Sequence, residues 1–147
     1  MSTFVLCDNV RMGDPECQPI MMRMDSDLYD YLLASTTGAL SSLPPISWKN
    51  QSAVCVVLAS KGYPEAYPKN EEITGLDFSS DETFVFHAGT KKENDKVLTN
   101  GGRVLGVTAL GDSLQQAISN AYSAVDKVNW PNKYSRLDIG KKGLAKL

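Results

Sequence analysis

The chain has 147 residues, of which 42% are hydrophobic and 22% charged, and it is long enough to bury a core without metals or disulfides. Its formal net charge is −2 and its isoelectric point is near 5.3. Nucleic acids and anionic membranes need a basic face, so this charge argues against both as partners. The sequence has neither a membrane-spanning apolar stretch nor a signal-peptide pattern. We therefore expect a cytoplasmic protein with free thiols.

The first forty residues predict a short strand followed by two helices. Thr3–Leu6 is β-branched and apolar, which favours a strand. Asp14–Pro15 is typical of a helix start, with Asp14 as the capping residue, and Ile20–Met24 fits a buried helical segment. A second helix is predicted to begin at Asp25–Asp27 and to end at Gly38.

The composition changes at Ser41–Pro45, which is the best candidate for a boundary between two modules, residues 1–40 and 41–147. Strands dominate the pattern after this boundary. The predicted strands are Ala53–Ala59, Ile73–Leu76, Thr83–Ala88 and Arg103–Ala109, with a hairpin turn at Asn94–Asp95.

The clearest helix is predicted between Ser113 and Val128. Its apolar residues recur at helical spacing and form one stripe, made of Leu114, Ala117, Ile118, Ala121, Val125 and Val128. Asp112 and Gln115 have the spacing of a capping box. We expect the stripe to pack on the sheet, which gives an α+β fold with one long helix.

The segment Asn9–Glu16 concentrates groups that could carry chemistry. It offers an amide oxygen, a guanidinium, two carboxylates and a glycine within eight residues. Oxygen donors suit Mg²⁺, and an arginine suits phosphate or carboxylate. The alternative is a purely structural helix entry, with Asp14 as the cap and Arg11 on the surface.

Two other features have structural interpretations that outweigh the functional ones. The single histidine, His87, ends an apolar strand and is more often a hydrogen-bonded packing residue than a catalyst. Gly101–Arg103 is either a turn whose glycines take positive φ or an anion contact, and the turn is favoured. The sequence has no nucleophile elbow, Walker A motif or dinucleotide fingerprint.

Several motifs resemble those of one family in order and spacing. Arg11–Gln18 is very similar to the Arg-(Leu/Phe)-Gly-Asp-Pro-Glu-x-Gln signature of glycinamide ribonucleotide synthetases. The segments that follow in the family's order are Leu58–Pro64, Ile73–Leu76, Val85–Thr90, Gly101–Leu105, Val107–Ala109 and Arg136–Gly140. The resemblance extends from Val5 onward and corresponds to roughly the final third of the enzyme.

This resemblance implies an ATP-grasp ligase of purine synthesis. Such an enzyme uses ATP and Mg²⁺ or Mn²⁺ to convert glycine to glycyl phosphate, which the amine of 5-phosphoribosylamine attacks to give glycinamide ribonucleotide. Residues 1–40 would be the end of the ATP-grasp domain, and 41–147 a β-rich, barrel-sandwich-like C-terminal domain. The nucleotide clamp would lie upstream of Met1, so we expect this chain to bind no cofactor and to be inactive alone.

The resemblance also implies roles for individual residues. Arg11 and Asp14 would be catalytic, and Gly13, Glu16 and Arg103 would bind substrate. Arg136 and Asp138 match a motif to which we assign no role.

The metal site departs from the family pattern. Asn9 stands where the family has a metal-ligating Asn, but Cys7 stands where it has a ligating Glu. A thiol is a poor ligand for Mg²⁺, and Asp8 would point to the opposite face of a strand.

Two other functions remain open. The chain could be a non-catalytic interaction module derived from the ligase, or part of another ATP-grasp enzyme such as a carboxylase, although the Gly-Asp-Pro-Glu signature argues against the carboxylase. If the first helix does not pack as in a whole ligase, its apolar face (Ile20, Met21 and Met24) would be exposed and would favour self-association.

Overall fold

The structure is a computed structural model and describes residues 11–78 and 80–146. The predicted strand Thr3–Leu6 and the predicted metal ligand Asn9 lie outside the described residues. The helices are α1 (Cys17–Arg23), α2 (Leu28–Thr37), α3 (Leu114–Val125) and α4 (Lys141–Leu144), with a 3-10 turn at Leu40–Ser42. The strands are β1 (Ser52–Ser60), β2 (Thr83–His87), β3 (Thr90–Glu93), β4 (Lys96–Thr99), β5 (Arg103–Gly111) and β6 (Lys133–Ser135).

The strands form antiparallel sheets, which confirms the α+β class. Strands β2, β5, β1 and β6 form one four-stranded sheet in that order, and β3 pairs with β4 in a separate ribbon. The long central strands β1 and β5 pair from Ser52 opposite Gly111 to Ala59 opposite Arg103. The narrower expectation of a barrel-sandwich arrangement stays a prediction.

A helix covers each face of the central sheet. Val54, Val56 and Leu58 of β1 are buried in one core with the apolar stripe of α3. On the opposite face, a β-carbon placed on Gly106 would lie 3.3 Å from Cys55 Sγ and 3.8 Å from Gln18 Nε2 of α1. Side chains alternate along a strand, so α1 and α3 lie on opposite faces of the sheet. This explains why β1 is apolar on both faces.

Local sequence signals predicted both ends of α2, but they misplaced the N-terminal caps of α1 and α3. Asp27 caps α2 by accepting a hydrogen bond from the Tyr29 amide, and Gly38 ends it with a φ of 71°. The predicted cap of α1 is wrong, since the N-cap residue is Glu16 and no side chain caps this helix. The carboxylate of Asp14 is instead bound to Arg103.

The long helix α3 is confirmed, but its capping box is shifted by one residue. Ser113 Oγ accepts from the Gln116 amide at 3.2 Å, and Gln116 Oε1 accepts from the Asp112 amide at 3.2 Å. The prediction that Asp112 and Gln115 form the box is therefore wrong. Ser113 and Gln116 have the same i, i+3 spacing, and both pairs carry suitable side chains.

The predicted long strands and the hairpin are confirmed. Asn94 and Asp95 connect β3 to β4 with φ angles of 48° and 61°, as a type I′ hairpin turn requires. Ile73–Leu76 is not a strand of either sheet; Thr74 makes an isolated bridge to Asn129, and Ile73 N donates to Val97 O. The turn prediction for Gly101–Arg103 is wrong in one respect, because its glycines do not have positive φ.

The helix α1 packs across the predicted module boundary. It contacts β1 and β5, and backbone hydrogen bonds from Asp25 N to Ser47 O and from Lys49 N to Arg23 O tie its end to the following segment. The division into residues 1–40 and 41–147 stays a prediction. Within residues 11–78 and 80–146, no helix is both long and apolar enough to cross a membrane.

Candidate functional site

The residues predicted to carry chemistry meet at one corner, where the segment before α1 crosses the start of β5. An open cavity of about 740 Å³ is lined by Arg11, Met12, Gly13, Asp14, Glu16, Ile20 and Arg103. Five of these residues are the candidates predicted from the sequence. We call this cavity the Arg11–Arg103 corner.

Arg103 joins the two sides of the corner. Its Nη1 donates to the Asp14 carbonyl oxygen at 2.8 Å, and its Nη2 lies 3.1 Å from Asp14 Oδ2. Gln18 Nε2 of α1 donates to the other carboxylate oxygen of Asp14 at 3.3 Å. Both carboxylate oxygens of Asp14 therefore have partners within the chain, and these contacts hold the residue in place.

The glycine of the signature allows a close contact within the segment itself. The carboxylate of Glu16 lies against Cα of Gly13, where a β-carbon would overlap it. A glycine can let a ligand approach the backbone. In the structure, the side chain that approaches it is Glu16.

The charges at the corner are balanced. Arg11 and Arg103 face Asp14 and Glu16, and the side chains of Arg103 and Asp14 are 42% and 45% exposed. Arg11 Nη1 donates to the Met12 carbonyl oxygen at 3.1 Å. Exposed guanidinium and carboxylate groups of this kind can bind anions and cations that reach the cavity.

The corner influences a thiol buried beneath α1. Burial raises the pKa of Cys55, and the negative charges of Asp14 and Glu16 act in the same direction. The neutral thiol is therefore favoured, as is usual for a cysteine buried as a small core residue.

The residues described do not form a metal site by themselves. Among residues 11–78 and 80–146, no three His, Cys, Asp or Glu side chains lie close enough together to hold a metal ion. Asp14 and Glu16 provide two carboxylates, and that of Asp14 is already bound to Arg103. These residues alone do not fit a complete Mg²⁺ site.

The other candidates lie apart from this cavity. His87 is exposed, and its Nδ1 lies 3.0 Å from Thr90 Oγ1, as expected for a hydrogen-bonded packing residue. Arg136 forms two hydrogen bonds, of 2.9 and 2.7 Å, with the carboxylate of Asp138. This ion pair raises the pKa of Arg136 and lowers that of Asp138.

Two residues that shape the corner were not predicted. Gln18 was seen only as part of the signature, and it orients Asp14. Val104 has no partner on β1, and this irregularity decides where Arg103 points. A β-bulge leaves no local sequence signal when it is formed by an ordinary valine.

The sheet, its two covering helices and the charged corner define an α+β domain. Residues 53–142 match the family model described as "Phosphoribosylglycinamide synthetase, C domain". The chain belongs to this family.

Curated relatives support this assignment. The chain is 49% identical over 138 residues to the phosphoribosylamine–glycine ligase of Agrobacterium fabrum, covering 94% of this chain and 32% of that protein. It is 48% identical to the chloroplastic phosphoribosylamine–glycine ligase of Arabidopsis thaliana, covering 92% of this chain and 26% of that protein. The chain thus spans about a third or less of the length of these relatives.

A solved structure has the same fold. The crystal structure of phosphoribosylamine–glycine ligase from Thermotoga maritima superimposes with a TM-score of 0.70 at 33% sequence identity. The match covers 92% of this chain and 33% of that one. These relatives are enzymes by name, and the chain is similar to their C-terminal portion.

Proposed function

We propose that this chain is the C-terminal part of a phosphoribosylamine–glycine ligase that works in the cytoplasm. Over 94% of its length, the chain is similar to one third of a ligase, and this similarity carries the proposal. In addition, all five described candidate residues line one cavity. In this function, residues 1–40 end an ATP-grasp domain and residues 41–147 form the barrel-sandwich-like C-terminal domain.

The proposed reaction has two steps. Glycine's carboxylate attacks the γ-phosphate of ATP to give glycyl phosphate and ADP, and the amine of 5-phosphoribosylamine then displaces phosphate to form glycinamide ribonucleotide. Mg²⁺ or Mn²⁺, which would be held mainly by the rest of the enzyme with Asn9 as one ligand, would neutralise phosphate charge.

The chain's own residues would bind and orient the reactants. The guanidinium of Arg11 suits a phosphate or carboxylate oxygen, because charge-assisted hydrogen bonds to such oxygens are strong and directional. Arg11 and Asp14 form the proposed catalytic pair, and Gly13, Glu16 and Arg103 the proposed substrate-binding set. Catalysis of this kind depends mainly on positioning and charge stabilisation.

A second candidate function is a non-catalytic interaction module. The observation that favours it is the apolar surface of α2, where Tyr29, Leu32 and Leu33 are 66%, 57% and 50% exposed. Large apolar side chains on one helix face mark interaction sites in soluble proteins.

A growth experiment distinguishes the two functions. A bacterial strain lacking its own ligase would express this chain together with the upstream two thirds of the Agrobacterium fabrum relative. Growth without added purines requires ligase activity and supports the first proposal. Failure to grow while the two polypeptides co-purify supports the interaction module.

A further inference from the structure

The position of Arg103 results from a β-bulge. Leu58 pairs with Leu105 and Ala59 pairs with Arg103, so Val104 is an extra residue in β5. Side chains alternate between faces, and in a regular strand Arg103 would share the face of Leu105 and point toward the core beneath α3. The extra residue turns Arg103 to the face covered by α1, since bulges change the direction of a side chain in this way.

The backbone around the bulge is closely packed. The carbonyl oxygen of Val104 accepts hydrogen bonds from the amides of Ala88 and Gly89 at 3.0 and 3.1 Å. A β-carbon on Gly89 would lie only 2.7 Å from Cα of Gly101 and would overlap the Arg103 carbonyl oxygen. Glycines at 89 and 101 thus allow the end of β2 to approach the start of β5, which fixes the bulge.

The guanidinium of Arg103 is directed at one residue through two of its nitrogens. It binds the backbone carbonyl and the carboxylate of Asp14, which lies 89 residues earlier in the chain. Two contacts to one residue fix both the position and the orientation of that residue. An isolated contact to the carboxylate alone would leave the backbone free to rotate.

We infer that Arg103, beyond its proposed place in the substrate-binding set, is a positioning residue, which acts on the site through Asp14 by holding the segment 11–16 against the sheet. The bulge at Val104 directs the side chain of Arg103 toward Asp14, and Arg103 holds Asp14 in place. Asp14 in turn keeps Arg11 and Glu16 at the cavity. This inference rests on the proposed function only for what the cavity binds. The effect of Arg103 on the segment 11–16 can be measured in the chain without any substrate.

The test is amide hydrogen exchange measured by NMR on the 147-residue chain and on Arg103→Met. The amide of Cys17 is informative, because it donates to the Gly13 carbonyl at 3.0 Å and reports the turn that Arg103 holds. We expect the amide of Cys17 to exchange roughly three- to tenfold faster in the variant, as loss of a partly exposed charged hydrogen bond allows.

The matched control is Arg136→Met, which removes another exposed arginine that binds a carboxylate, that of Asp138. It should leave exchange in residues 13–17 unchanged. Arg103→Lys should restore part of the protection, since it keeps the charge but not the two-point contact. Asp14→Asn offers a second variant, which keeps the backbone carbonyl that Arg103 binds and removes only the carboxylate charge, so it should accelerate exchange less than Arg103→Met does.

The inference is overturned if Arg103→Met leaves exchange in residues 13–17 unchanged, or if it accelerates the amides of β5 by the same factor. The second result would show that Arg103 merely stabilises the strand. Ligase activity does not enter this test, so a failed growth experiment leaves the positioning role standing, and a failed exchange experiment leaves the proposed activity standing.

Discussion

The ring of Tyr63 lies directly over Cα of Gly102, so closely that a β-carbon at position 102 would overlap the ring. Glycine is needed here for space rather than for conformation, since φ at Gly102 is not positive. The contact attaches the turn after β1 to the start of β5, next to Arg103. Packing against Tyr63 therefore explains the glycine at position 102, which belongs to the family-like motif Gly101–Leu105.

Replacement of Gly102 by alanine should lower the free energy of unfolding by about 1–3 kcal/mol, as overpacking does elsewhere. Urea denaturation followed by circular dichroism measures this change. In the background of Tyr63→Ala, the same substitution should cost much less, because the ring that it meets is gone. An equal cost in both backgrounds would show that the ring is not the obstacle.

The accuracy of the sequence predictions depended on how local their signals are. Asp27 and Gly38 fix the ends of α2 through contacts within a few residues, and both were predicted. The stripe of α3 is also local, because a repeat of 3.6 residues is visible in one segment. Four residues that line the cavity were predicted through one contiguous motif, namely Arg11, Gly13, Asp14 and Glu16, and Arg103 was predicted through a second motif, Gly101–Leu105.

Features that depend on distant pairing were not predictable. The local sequence around Asp14 is typical of a helix cap, but Arg103 and Gln18 bind its carboxylate instead. The bulge at Val104 depends on the register between two strands separated by more than forty residues. One segment alone does not contain the information that sets such a register.

The shifted capping box gives a direct test of helix α3. Ser113→Ala should lower the free energy of unfolding by about 1 kcal/mol, because it removes the acceptor for the Gln116 amide. Ser123→Ala, on the exposed face of the same helix, should be nearly neutral. Thermal or urea unfolding compares them. If both variants lose the same stability, the capping role of Ser113 is wrong.

The buried thiol predicts a dependence of stability on pH. The pKa of Cys55 is raised above its ordinary value of 9.0, mainly by burial, so the folded state favours the protonated thiol. Its contribution to stability is therefore complete at neutral pH and is lost as the pH rises above 9.0. Urea unfolding between neutral and alkaline pH should show this loss in the chain and a flatter profile in Cys55→Ala.

Thiol labelling provides an independent check on Cys55. In a Cys7→Ser background, iodoacetamide at neutral pH should modify the half-buried Cys17 before the buried Cys55. Two results would contradict a buried Cys55 thiol with a raised pKa. They are equal rates of modification of Cys17 and Cys55, or the same pH profile of stability in the chain and in Cys55→Ala.

The apolar face of α1 is expected to drive self-association only if this helix does not pack as in a whole ligase, whereas α2 presents a second apolar surface. Ile20, Met21 and Met24 of the α1 region are half-buried, and α1 contacts the sheet. By contrast, α2 carries exposed apolar side chains, among them Leu32 and Leu33. We therefore expect self-association to depend on α2.

Sedimentation of the chain at increasing concentration should show an average mass that rises above 16.0 kDa. Replacement of Leu32 and Leu33 by serine should abolish the rise, because it removes the apolar surface. Met21→Ser should leave it in place. A clean monomer at every concentration would refute self-association through this face.

Glycine-dependent ADP release is a direct assay of the proposed ligase function. The purified chain would be mixed with the upstream two thirds of the Agrobacterium fabrum relative, ATP, Mg²⁺, glycine and freshly made 5-phosphoribosylamine. We predict ADP release that needs both polypeptides, falls at least tenfold with Arg11→Met, as loss of a charged contact to the transition state does, and survives Arg136→Met. No glycine-dependent ADP from a mixture in which the two polypeptides are bound, or release that Arg11→Met leaves unchanged, would contradict the proposed ligase function.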